Sequence, residues 1–93
     1  MRIEYDDRFV DKFLNILQFV AQDSTQHAEK FEQKIKEKIS NIPDFLYACR
    51  KSIYFEDDTI RDMIYKGYCV VYKVDTAEDR IIVLGIVKYQ QKI

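Results

Sequence analysis

The sequence predicts an α+β domain: a strand, an antiparallel helical hairpin, then a three-stranded antiparallel meander, all in one sheet covered by the helices. Three observations carry this. The first forty residues hold two stretches with apolar side chains at helical spacing, joined by a short polar break. From Thr59 onward the period changes to two. Two turn signals, Lys66-Gly67 and "DTAED", divide that second half into three strands. Helices and strands segregated along the chain stack as two layers rather than alternating βαβ units.

Each element follows from its residues. Met1 to Tyr5 alternates apolar and polar and suits a short first strand. Asp6 and Asp7 supply an N-cap and negative charge for a helix dipole. Phe9, Phe13, Ile16, Leu17 and Val20 then share one face, which sets the first helix at 7–22. "QDSTQ" ends it, and Asp23 with Gln26 three residues on resembles a capping box. Ala28, Phe31, Ile35, Ile39 and Ile42 define the apolar face of a second helix over about 24–41, stopped by Pro43. "PDFLYACRKSIYFEDD", residues 43–58, reads as a connecting segment with a helical turn or a short strand. In the meander, Ile60, Asp62 and Ile64 lie opposite Arg61, Met63 and Tyr65. Tyr68, Val70, Tyr72 and Val74 lie opposite Cys69, Val71 and Lys73. "RIIVLGIVKY" is apolar on both faces and reads as a central, doubly covered strand.

Size and composition narrow the function. Ninety-three residues, 47% hydrophobic and 33% charged, make one folded domain over 1–93. No apolar run approaches the roughly 20 residues of a membrane span, and the acidic start is unlike a signal peptide. The chain is therefore expected to be soluble and cytoplasmic, with no membrane partner. Cys49 and Cys69 are expected to be free thiols, without metal-ligand spacing. Fifteen basic and sixteen acidic residues argue against indiscriminate nucleic-acid binding. His27, the single histidine, has no Ser or Cys beside it and reads as a solvated helix residue. "EDD" at 56–58 lacks the spacing of a calcium loop and reads as a solvated turn. With two glycines there is no phosphate-binding loop, and neither a metal nor a small-molecule cofactor is expected. Seven Tyr and six Phe read mainly as core and rim, with one or two available to stack a base or bind a partner peptide.

Taken together, "FVDKFLNILQFVAQDSTQHAEKFEQKIKEKISNIPDF", "IRDMIYKGYCVVYKV" and "RIIVLGIVKYQ" resemble the RelE/ParE toxin superfamily of bacterial type II toxin–antitoxin modules, which includes plasmid stabilisation proteins. The resemblance covers nearly the whole chain. Its most telling pieces are the helix junction "VAQDSTQHA", the strand "IRDM" and "GYCVVYKV" before a long last strand. It implies a growth-arresting toxin neutralised by a cognate antitoxin. It also implies one of two targets: ribosome-bound mRNA, cut by RelE-like members, or DNA gyrase, inhibited by ParE-like members. RelE-like nucleases often carry an Arg after the Gly-Tyr pair, where this chain has Cys69. They often carry lysines where Ile60 and Asp62 stand, and a basic residue where Tyr89 stands. Arg61 matches the ParE-like "IR-[DE]-[LM]" strand, while Lys88 stands where ParE-like members often have His. The candidate site residues are thus Arg61, Lys66, Lys88 and Tyr89, with Arg50, Lys51, Lys73 and Lys92 as further cations. Because the usual basic positions are largely replaced, the reading leans away from an efficient endoribonuclease. Cys69 reads as strand packing rather than a nucleophile. A non-enzymatic family member that only engages an antitoxin or regulator is the alternative from a different class.

Overall fold

The computed structural model describes residues 1–88. In chain order they form β1 (Arg2–Tyr5), α1 (Asp7–Asp23), α2 (Thr25–Ser40), a single 3₁₀ turn (Ile42–Asp44), β2 (Arg50–Lys51), β3 (Ile60–Tyr65), β4 (Tyr68–Asp75) and β5 (Arg80–Lys88). The sheet has five strands in the order β1-β5-β4-β3-β2. The α+β class and the helical hairpin over one sheet are as expected. The three-stranded meander is flanked on both sides: β2, the short strand allowed for in 43–58, adds to the free edge of β3, and β1 lies parallel beside β5.

The helix junction departs from the capping box at Asp23. Ser24 alone separates the helices, in extended backbone (φ −162°, ψ 119°), and caps both. Its N–H donates to the Val20 carbonyl at 3.2 Å, and its Oγ accepts from the His27 N–H at 3.2 Å. A hydroxyl one bond from an extended backbone reaches the first free N–H groups of α2. Asp23 is instead the last residue of α1. At the start of α1, Asp6 caps as expected, accepting from the Arg8 N–H at 2.8 Å.

One face of the sheet packs on the helices. Phe9, Phe13 and Ile16 of α1 and Phe31, Ile35 and Ile39 of α2 meet Val70, Tyr72, Val74, Ile81, Val83 and Ile86. Val83 and Ile86 share this face, although three residues apart, because a bulge intervenes. Tyr72 pairs with Val83 and Val71 with Gly85, leaving Leu84 as the extra residue. The Lys66-Gly67 turn has φ of 47° and 81°, the left-handed pair that a two-residue hairpin requires. The opposite turn is locked to β1. Arg80 donates to Asp75 at 2.9 Å and to Glu4 at 2.8 Å, so one guanidinium ties the β4–β5 turn to the first strand.

β5 is an interior strand, beside the central β4, and is not equally covered on its two faces. Ile81, Val83 and Ile86 are buried under the helices, while Ile82, Leu84 and Val87 on the other face are half-buried. That second face carries a smaller cluster of Ile60, Cys69 and Val71.

Candidate functional site

The sheet face away from the helices is built around a charge that alternation placed among apolar residues. Asp62 sits between Ile60 and Ile64 on β3, opposite Val71, and its side chain is 0% exposed. A carboxylate there must be paired. β2 supplies the partner: Arg50 stands directly across from Asp62, and its Nη2 donates to Oδ2 at 3.3 Å. The Ile53 N–H donates to the same oxygen at 3.1 Å. Strand β2, only two residues long, is thus held to the edge by a side-chain anchor as well as by its ladder.

Cys69, fully buried, lies on the same face close to this pair. Burial, and then the negative charge of Asp62, push its thiol up to about 12. A thiol held that high stays protonated at neutral pH and is a poor nucleophile. The packing role read from the sequence therefore fits the geometry. Ile60 and Asp62, where the resemblance implies nuclease lysines, are also buried. No cation at these three positions faces solvent.

Arg61 points to the opposite face and acts as a bracket. Its Nε donates to the Asp58 carbonyl at 3.0 Å and its Nη1 to the Cys49 carbonyl at 3.2 Å. Its guanidinium lies 4.6 Å from the centroid of the Tyr47 ring. The Tyr72 hydroxyl, pushed above its ordinary range chiefly by burial, donates to the Leu46 carbonyl at 3.0 Å. Together these bonds fix the connection between the 3₁₀ turn and β3, whose Phe45, Tyr47, Ile53, Tyr54 and Phe55 are exposed.

Lys66 and Lys88 are brought to one end of the sheet. Lys66 is in the β3–β4 turn, and Lys88 pairs in register with Tyr68 just after that turn. The Lys66 ammonium lies 5.6 Å from the Tyr65 ring centroid, and Lys38 of α2 lies 5.3 Å from the same ring. Arg61 is four residues from Tyr65 along β3, about 13 Å at strand rise, and does not join them. Tyr89 lies outside the described residues, as does Lys92. Among the described residues no three His, Cys, Asp or Glu side chains converge as metal ligands, and no helix is long and apolar enough to cross a membrane.

An apolar groove runs along the helix layer. Tyr5, Phe9, Val10, Phe13, Leu14 and Ile39 line about 230 Å³ of space, with Glu32 and Lys36 on its rim. Tyr5, Val10 and Leu14 remain exposed there. The Arg50–Asp62 pair was the feature sequence reasoning missed. Its signal was an aspartate breaking the apolar face of Ile60, Ile64 and Cys69.

The family described as "ParE toxin of type II toxin-antitoxin system, parDE" matches residues 3–92. No curated protein matches the sequence. Among solved structures, a chain of the chromosomal ParDE toxin–antitoxin system from P. aeruginosa superposes with a TM-score of 0.77 at 18% identity, over 97% of each chain. The isolated E. coli RelE toxin superposes with a TM-score of 0.63 at 14% identity, over 98% of this chain and 86% of that one. At these identities both likenesses concern the fold.

Proposed function

Because the chain belongs to the ParE toxin family of type II toxin–antitoxin systems, we propose that it arrests bacterial growth by inhibiting DNA gyrase, does not cleave ribosome-bound mRNA, and is neutralised by a cognate antitoxin. The observation that carries the choice of target is the sheet face without exposed cations at positions 60, 62 and 69. Cleavage of this kind needs fixed cations to offset charge developing on the phosphate, and losing a single such contact costs roughly 100- to 1000-fold in rate. Here three positions carry a buried isoleucine, a buried carboxylate and a protonated thiol. The carboxylate is neutralised by Arg50, so that cation is already engaged on the face.

The antitoxin reading rests on surface chemistry as well as on the family. The groove of Tyr5, Val10 and Leu14 leaves apolar area exposed between the two helices. An amphipathic segment laid along it buries that area by anchors at helical spacing. Action on gyrase places the toxin in the cytoplasm. The test is induced expression with supercoiling and ribosome-dependent cleavage followed side by side. Growth arrest with loss of supercoiling and intact mRNA is expected. Normal growth at high soluble expression overturns the toxin reading and favours a binding module without toxicity.

A further inference from the structure

The cations of this chain divide into two sets. All the arginines, and Lys34, Lys36, Lys51 and Lys73, have a carboxylate or carbonyl partner. Lys12, Lys30, Lys38, Lys66 and Lys88 have no carboxylate partner among the described residues, and they are not scattered. They gather at the end of the molecule where the β3–β4 turn meets the helices. Two clefts of about 250 Å³ each open there, on either side of Tyr68. Lys12, Asn15, Phe19 and Lys88 line one with Tyr68. Lys30, Phe31, Lys66 and Tyr65 line the other with it. Neither has a carboxylate among its described lining residues.

Among the described residues, a chain of net charge −1 thus gathers its unpaired lysine side chains at one pole. The pole is also aromatic. Tyr65 and Tyr68 face the helix side and pack against Phe31, with ring centroids 6.0 and 5.2 Å away. Phe19 stands 62% exposed at the mouth of the cleft that holds Lys12 and Lys88.

We propose that this pole binds single-stranded nucleic acid, with lysines on successive phosphates and a base stacked on Phe19 beside Tyr68. Lysine ammonium groups bind phosphates as flexible point charges. Exposed rings beside them supply sequence-tolerant stacking. An acidic protein segment also matches the charge, but a flat exposed ring set among lysines is a stacking platform that successive bases use fully, which favours nucleic acid. The site lies on the helix-bearing rim. It is separate from the buried Ile60, Asp62 and Cys69 face and from the Tyr5–Leu14 groove, and it requires no cleavage.

The test is fluorescence anisotropy with the purified chain and labelled 12-nucleotide oligothymidine, repeated with oligouridine and with a 12-base-pair duplex. Four phosphate contacts give a slope of log K against log salt of about −3, so affinity falls about 50-fold between 50 and 200 mM salt. Lys12→Gln with Lys88→Gln halves that slope. Phe19→Ala weakens binding about tenfold or more with the slope unchanged. Lys34→Gln with Lys36→Gln removes the same charge at paired lysines and leaves binding within about twofold. Both single strands bind alike, since neither lysines nor rings read the 2′-hydroxyl, and the duplex binds more weakly. The proposal is overturned by no binding at 50 mM salt, by equal loss in the two double variants, by a duplex that binds as tightly, or by a polyglutamate peptide that competes as well as the oligonucleotide.

Discussion

Replacing Arg50 by Met removes the cation from a carboxylate that has no access to solvent. Asp62 then keeps one N–H, from Ile53, and loses its charge partner. Breaking a buried pair from one side costs about 3–5 kcal/mol. Arg50 is itself 35% exposed, so part of its attraction is already screened, and about 3 kcal/mol is the expected loss. A domain of this size has a total stability of about 5–14 kcal/mol, and each kcal/mol moves Tm by about 4–8 °C. The variant therefore melts about 12–24 °C lower. Asp62→Leu is milder, about 1.5 kcal/mol, because the freed guanidinium turns to water and the main loss is the Ile53 N–H. Arg50→Met with Asp62→Leu costs little more than Asp62→Leu alone, since no unpaired charge remains. The cycle, measured by urea unfolding at neutral pH, should give a coupling of about 3 kcal/mol. Additive single effects, or Arg50→Met costing under about 1 kcal/mol, would show that the carboxylate is hydrated and the closed-face argument mistaken.

Two further outcomes follow from the same geometry. Cys69→Ser places a hydroxyl in the buried Ile60–Val71 cluster and costs about 1–3 kcal/mol. It leaves growth arrest intact at permissive temperature, and loss of arrest in a folded, soluble variant would mean that the thiol acts chemically. On acidification, three carboxylates lose stabilising hydrogen bonds. Hydrogen bonds from Arg8, from Thr59 and from Arg80 hold Asp6, Asp57 and Asp75 below the usual carboxylate value. A depressed folded value contributes stability above the unfolded value, about pH 4, and loses it as pH falls through the folded one. Tm should be flat from pH 7 to 5 and drop below about 4, less steeply in Asp75→Asn; identical slopes in the variant and the parent would exclude Asp75 as a contributor.

The helices were legible because their apolar residues recur every three or four positions and polar residues fill the rest. Asp6 was legible as a cap because it precedes such a run. Ser24 was not, since Asp23, Ser24 and Thr25 are all capping types and only the backbone angle at one of them decides. The parallel pairing of β1 with β5 left no local mark: it joins residues 2–5 to 80–83, and a four-residue strand states no partner. β2 was ambiguous for a related reason. Its two residues are held by the remote Asp62 rather than by any propensity of Arg50-Lys51. In the candidate site, the sequence placed Lys66 and Lys88 on adjoining strand ends but grouped Arg61 with them. Arg61 shares the helix-side face but stands four strand residues, about 13 Å, from Tyr65, and backbone carbonyls and Tyr47 engage it there.

On the proposed reading, the closed sheet face makes this toxin an inhibitor of gyrase and not a ribosome-dependent nuclease. Purified chain, titrated into a gyrase supercoiling reaction and in parallel into ribosomes stalled on a defined mRNA, tests it most directly. Inhibition of supercoiling with the mRNA left whole is the predicted result. Cleavage of the mRNA in the ribosomal A site, with supercoiling untouched, would contradict it.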